Sequence, residues 1–183
     1  MKLHFILGGA RSGKSGLAER LADFLGKNVC YIATATAFDE EMTTRIERHK
    51  EQRPSHWVCL EEPTKLAQAI GKGFEISDIV LVDCLTLWLS NLLFTEDSEQ
   101  LETEKRSFLS LISDLKGSHS DKHLILVSNE TNMGVIPMEK LTRQYCDLAG
   151  WLHQDIAKLS DTAILAVAGL PHVLKGNWPE EIV

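Results

Sequence analysis

The chain has 183 residues, 44% apolar and 25% charged, which suits one globular domain with a full core and leaves little for a second. Its formal net charge of -7 makes the surface as a whole repel nucleic acid and anionic membranes, so any phosphate site must be locally basic. No stretch approaches the apolar length of a bilayer span, and the apolar run of MKLHFILGG is too short for a signal peptide, so the expected setting is the cytoplasm.

Leu3-Leu7 reads as a first strand, and Lys14 to about Leu25 as a helix with Leu17, Leu21 and Leu25 on one stripe. Val29-Ala33 is a second strand. Asp39 caps a helix running to about Gln52, with Glu40 and Glu41 in its first turn suiting the helix dipole. Pro63 stands where a helix first turn tolerates proline, and that helix is expected to end near Gly71. Ile79-Asp83 is a third strand, followed by a strongly apolar helix over Leu85-Phe94. A polar loop at Asp97-Gln100 enters a helix carrying Leu101, Phe108, Ile112 and Leu115 that stops at Gly117. His123-Ser128 is a fourth core strand. Pro137 opens a long helix with Leu141, Tyr145, Leu148, Leu152, Ile156 and Leu159 on one face, and Ala163-Ala168 is a fifth strand. The tail from Gly169, with Pro171, Gly176 and Pro179, is expected to be irregular. Apolar strands alternating with helices predict an α/β fold in one domain over 1–183, a mostly parallel sheet with helices on both faces. Cys30, Cys59, Cys84 and Cys146 form no C-x-x-C pair and lack zinc-like spacing, so free thiols in a reducing compartment are expected.

The run Gly8, Gly9, Ala10, Arg11, Ser12, Gly13, Lys14, Ser15 matches G-x-x-x-x-G-K-[ST] at every fixed position. It follows an apolar strand and opens a helix, as a phosphate-binding loop requires. Backbone N-H groups there wrap the phosphates of a purine nucleoside triphosphate, ATP or GTP, and the helix end adds a positive dipole. Lys14 reaches the β and γ phosphates, and the Ser15 hydroxyl ligates Mg²⁺. The alternative is a tight glycine turn that binds nothing. Asp83 ends a strand where such folds place a second carboxylate on the metal side; it is either that or a cap for the next helix. The expected class is thus a single P-loop NTPase-like domain.

Arg45, His49 and Arg53 recur at i+4 steps and share one helix face, with Lys50 adjacent. His49 also borders Met42 and Ile46. It is either a partly buried histidine beside a solvated basic stripe or a nucleophile, kept neutral by flanking arginines that also offset phosphate charge. Glu61 and Glu62 precede a helix start and serve its dipole, or accept hydrogen bonds from a guanine edge or a ribose. Trp88 reads as core or subunit contact, and Arg143 with Asp147 as a surface ion pair. His4 lies in a strand, His56 sits beside Trp57 as a packing residue, and His119, His123, His153 and His172 have no partner spacing that suggests metal.

These pieces together resemble the bifunctional adenosylcobinamide kinase / adenosylcobinamide-phosphate guanylyltransferase family of cobalamin biosynthesis, from Leu3 to about Lys175. The strings that carry it are ILGGARSGKS, YIATA, EMTTRIERHKEQRP, VDCLTLWLSNLLF, VSNE and RQYCDLAG. The resemblance implies two reactions. ATP or GTP first phosphorylates the aminopropanol hydroxyl of adenosylcobinamide. GMP then passes from GTP, through a covalent guanylyl-histidine, to adenosylcobinamide phosphate. The family's histidine falls on His49. Its nucleotide contacts fall on Gly8 to Ser15, Thr34, Ala35, Thr36, Lys50, Arg53, Glu61 and Asp83, and a homotrimer is implied. Two departures touch the substrate side: Asn132 stands in Asn129-Glu130-Thr131-Asn132-Met133-Gly134 where relatives often have glycine, and His153-Gln154 replaces Asn-Gln. Rival readings from the residues are a simple metabolite kinase with His49 as bystander, a non-catalytic GTP switch, and a guanylyltransferase without its kinase step.

Overall fold

The computed structural model describes residues 1–36, 40, 44, 47, 54–118 and 121–182. Seven strands form one sheet: β1 (Lys2–Gly8), β2 (Val29–Ala33), β3 (Val58–Glu61), β4 (Ile79–Asp83), β5 (His123–Asn129), β6 (Thr162–Val167) and β7 (Leu170–Lys175). Their spatial order is β3-β2-β4-β5-β1-β6-β7. Every neighbouring pair is parallel except β6 with β7, which is antiparallel. The described helices are α1 (Lys14–Leu25), α2 (Leu66–Ile76), α3 (Leu85–Phe94), α4 (Ser98–Ser118) and α5 (Lys140–Leu159).

Period-2 alternation divides the central strands between two cores. Ile6, Tyr31, Leu81, Ile125, Val127 and Ile164 face α1, whose Leu17, Ala18 and Leu21 are buried against them. Leu3, Phe5, Ile32, Val80, Val82, Leu124 and Leu126 face the other way, onto α2, α3, α4 and α5. Strands buried on both faces explain the near-continuous apolar runs. Trp88 of α3 and Phe108 of α4 are fully buried, with ring centroids 5.2 Å apart, and each contributes roughly 1.5–3 kcal/mol by burial. The Trp88 indole N-H donates to the Thr64 carbonyl at 2.7 Å, so this tryptophan belongs to the core.

Four details differ from the sequence expectation. β3 is an edge strand with Val58, Cys59 and Glu61 exposed, so it lacks the apolar run that marks the others. The tail expected to be irregular instead carries β7, on the opposite edge, where Pro171 is tolerated because an edge strand need not donate on both sides. Its two-residue turn, Ala168-Gly169, has φ of 52° and 82°, the positive values a tight hairpin needs. Third, α2 starts at Leu66 rather than Pro63 and runs past Gly71 to Ile76. Glu62 Oε1 accepts from the Thr64 and Lys65 N-H groups and builds a turn ahead of the helix. Fourth, α5 begins after Pro137: Glu139 is its N-cap and accepts from the Leu141 and Thr142 N-H groups, while Arg143 donates to the Pro137 carbonyl at 3.1 Å. The Arg143 guanidinium thus serves this turn. The helix expected from Asp39 to Gln52 lies largely outside the described residues, although Glu40, Thr44 and Glu47 are helical. All four cysteines are free thiols, Cys30 and Cys84 buried. Among the described residues no helix is long and apolar enough to cross a membrane.

Candidate functional site

The parallel strands end together along one edge of the sheet. Ala33 is in register with both Glu61 and Asp83, Asp83 with Val127, and Gly8 with Asn129. In open α/β sheets this carboxyl edge is where ligands bind.

The glycine run leaves β1 there and closes on itself. Ser12 N-H donates to Gly9 O at 3.2 Å, and Gly13, at φ 89°, is the left-handed residue before α1. Arg11 also has positive φ, 55°. A Cβ on Gly8 would stand 2.4 Å from Ser12 Oγ and 2.9 Å from the Ala166 carbonyl; one on Gly13 would stand 2.8 Å from Gly169 Cα. The β6-β7 turn therefore buttresses the loop, and Gly169 N-H donates to Ser12 O at 2.8 Å. The start of α1 has neither a side-chain cap nor an acidic first-turn residue, which leaves its amides available to an anion. Lys14 folds back to donate to Gly9 O at 3.2 Å. Ala10 is exposed, Ser15 half-buried. A glycine loop, an uncapped helix end and one ammonium suit a chain of phosphates.

Asp83 lies two strands from β1. Its Oδ2 accepts from the buried Tyr31 hydroxyl at 3.1 Å, and α3 has no side-chain cap, so the helix-cap alternative for Asp83 does not hold. The Asp83-Cys84 peptide is cis. Thr34 is fully buried; its hydroxyl donates to Cys84 O at 2.7 Å and accepts from Cys84 N at 2.9 Å. Asn91 donates to Thr34 O at 2.8 Å and Pro63 O at 3.0 Å. Thr34 and Asn91 thus tie together the ends of β2 and β4 and the turn after β3. Ala35 and Thr36 follow, half-buried. Burial pushes the Cys84 thiol up to about 11, with Asp83 adding to the shift, which rules it out as a nucleophile near neutral pH. Glu61 sits exposed at the end of β3, while Glu62 is occupied in the turn before α2. His49, Lys50, Arg53 and Arg45 lie outside the described residues.

Mg²⁺ takes hard oxygen ligands, and the Ser15 hydroxyl and Asp83 carboxylate supply that chemistry. Among the described residues no three His, Cys, Asp or Glu side chains cluster to hold a metal, so such an ion needs phosphate oxygens and water to complete its shell.

Sequence reasoning missed the end of β5. Asn129 N-H donates to Thr86 Oγ1 at 2.7 Å, and Ser128 Oγ lies 2.8 Å from His153 Nε2. Burial lowers the His153 pKa, so the ring is neutral, and its partner is a serine. A polar Ser-Asn-Glu run following four apolar residues was the available signal. His4 and His123 stack at the opposite edge of the sheet, far from the loop in strand register, with His4 Nε2 3.0 Å from His123 Nδ1.

Residues 4–174 match the family model described as cobinamide kinase / cobinamide phosphate guanyltransferase. A bifunctional adenosylcobalamin biosynthesis protein CobP of Pseudomonas aeruginosa is 52% identical over 172 residues, covering 94% of this chain and 96% of that protein. The bifunctional adenosylcobalamin biosynthesis protein CobU of Salmonella typhimurium is 36% identical over 173 residues, covering 90% and 95%. Among solved structures, the RadB recombinase is similar in fold alone, with a TM-score of 0.54 at 16% identity over 90% of this chain and 73% of that one. The chain belongs to the cobinamide kinase / cobinamide phosphate guanyltransferase family.

Proposed function

We propose that this chain phosphorylates adenosylcobinamide with ATP or GTP and then transfers GMP from GTP to the product, giving adenosylcobinamide-GDP. The observation that carries the reading is the Gly8–Ser15 loop, open at the carboxyl edge beside Asp83, in a chain whose family match spans residues 4–174.

In the first reaction the aminopropanol hydroxyl oxygen attacks the γ phosphorus, and the bond from that phosphorus to the β-γ bridging oxygen breaks. The loop amides and Lys14 hold the triphosphate in line and offset the charge spreading over its oxygens. Ser15 and Asp83 are the residues to hold Mg²⁺, which when bound neutralises phosphate charge. Tyr31 keeps the Asp83 carboxylate oriented. In the second reaction a neutral imidazole nitrogen of His49 attacks the α phosphorus of GTP and pyrophosphate leaves. The terminal phosphate oxygen of adenosylcobinamide phosphate then displaces the histidine from that phosphorus. Lys50 and Arg53, one and four residues on from His49, are assigned to the same phosphates, and Thr34, Ala35, Thr36 and Glu61 to the nucleoside side. The Thr34 hydroxyl is taken by Cys84 and its carbonyl by Asn91, so Thr34 serves by holding the strand end from which Ala35 and Thr36 follow. A homotrimer in the cytoplasm completes the reading; the exposed Met133, Val135, Ile136 and Met138 supply apolar surface for association.

Incubation with GTP labelled at the α phosphate tests the mechanism. The protein is expected to retain acid-labile, base-stable label, and His49→Ala to retain none. A folded wild-type chain that stays unlabelled with magnesium present overturns the covalent step and favours a simple kinase.

A further inference from the structure

Phosphorylating a hydroxyl releases a proton, and the carboxyl ends of the strands bring Glu61, Glu62, Asp83 and Glu130 to one edge. Glu62 is engaged in the turn before α2. Glu61 ends β3, with β2, β4 and β5 between it and β1. Asp83 ends β4, and Glu130 directly follows β5, the strand next to β1.

Alternation turns these last two to opposite faces of the sheet. Ile79 and Leu81 pack in the cluster against α1; Asp83, next in step, accepts from Tyr31 of that cluster at 3.1 Å. Leu124 and Leu126 pack in the other cluster, with Leu148 and Leu152 of α5. Ser128, next in step, lies 2.8 Å from His153 of α5, and Glu130 follows. Glu130 is held at two points. Its N-H donates to the carbonyl of Gly8, the first residue of the loop, at 3.0 Å, and its Oε1 accepts from Asn132 N-H at 2.6 Å. Asn132 Nδ2 in turn donates to the Cys146 carbonyl at 2.9 Å, which ties this turn to α5. The Glu130 side chain is half-buried, and its Oε2 makes no hydrogen bond or ion pair among the described residues.

The loop and the start of α1 hold the diphosphate that leaves. In-line displacement sets the attacking oxygen on the far side of the γ phosphorus, which is the side away from α1. Asp83 therefore faces the leaving phosphates, and Glu130 faces the acceptor. We propose that Glu130 is the general base of the kinase step, its Oε2 taking the proton of the aminopropanol hydroxyl. This rests on the proposed kinase reaction. The acceptor O-H bond breaks and its proton passes to Oε2. The bond from that oxygen to the γ phosphorus forms, the bond to the β-γ bridging oxygen breaks, and the nucleoside diphosphate leaves with that electron pair. Glu130 then returns the proton to solvent. GMP transfer reacts at the α phosphorus with a phosphate oxygen that carries no such proton, so it does not need this base.

The test uses Glu130→Gln, which keeps an acceptor for Asn132 N-H and removes the basic oxygen. Kinase kcat with adenosylcobinamide is expected to fall about 100-fold or more. Affinity for β,γ-imido-GTP, and GMP transfer to supplied adenosylcobinamide phosphate, should stay within about threefold of wild type. Formate added to Glu130→Ala should raise its kinase kcat several-fold without changing GMP transfer, a rescue that a merely structural glutamate would not show. A folded Glu130→Gln protein with kinase kcat near that of wild type overturns the inference, as does an equal loss of both reactions. If Glu130→Gln does not fold, Glu130→Ala decides, and absence of formate rescue overturns the inference. A wild type that binds the triphosphate analogue but never phosphorylates adenosylcobinamide sinks the kinase reading itself, and this inference with it.

Discussion

Lys14 carries the mobile positive charge of the loop. Its ammonium donates to Gly9 O, a contact that a bound triphosphate is expected to replace with stronger charge-assisted bonds. Lys14→Met keeps the stem that packs on the loop and removes the charge, so it is expected to melt within a degree or two of wild type. Triphosphate affinity should nevertheless fall at least about 100-fold by calorimetry. Equal affinity in the two proteins would remove the loop from the site. Gly8 is constrained from two sides, since a Cβ there meets Ser12 Oγ at 2.4 Å and the Ala166 carbonyl at 2.9 Å. Such constraints were half legible in the chain: G-x-x-x-x-G-K-S says that glycines are needed, while the identity of their neighbours comes from β6, more than 150 residues away in sequence.

At the scale of elements, the β6-β7 hairpin holds up the phosphate loop without belonging to it. Gly169, at φ 82°, donates its N-H to Ser12 O and fits its Cα beneath Gly13. Gly169→Val forces a β-branched residue into the left-handed region, at a cost of about 1–3 kcal/mol. It is expected to lower the melting temperature and also weaken triphosphate binding several-fold; unchanged binding would separate the hairpin from the loop. The start of α5 makes a pH prediction. Hydrogen bonds from the Thr142 hydroxyl and from the Leu141 and Thr142 amides hold the Glu139 carboxyl at about 2, against an ordinary 4.5. A lowered carboxyl pKa stabilises the folded state above the ordinary value and loses that contribution as pH falls from about 4.5 through about 2. Hydrogen exchange at Leu141 and Thr142 should accelerate, relative to the rest of α5, across that range, and Glu139→Ala should abolish the difference. β3 and β7 escaped the sequence reading for one reason: edge strands are solvated, so they lose the apolar signature that reveals buried ones.

For the whole molecule, the pair of buried His4 and half-buried His123 links stability to pH. Burial first, and the facing His123 second, lower His4 from 6.5 to about 4, with Lys2 acting in the same direction and Asp161 against it. His123 is lowered as well, again chiefly by burial. Between those values the unfolded chain binds a proton that the folded chain refuses, so stability is complete above about 6.5 and declines as pH falls toward 4. The loss is on the order of 2 kcal/mol for His4. Urea midpoints at pH 7.5 and pH 5 should show it, and His4→Gln should flatten the slope. An equally steep slope in that variant would place the effect elsewhere. The sequence by itself determined the layered α/β plan, the central strands, the phosphate loop and the family strings, because periodicity and local spacing are written in neighbouring residues. Tertiary structure alone decided the strand order, the two edge strands and the hairpin beneath Gly13. Each of those depends on contacts between segments far apart in the chain, which no local pattern encodes.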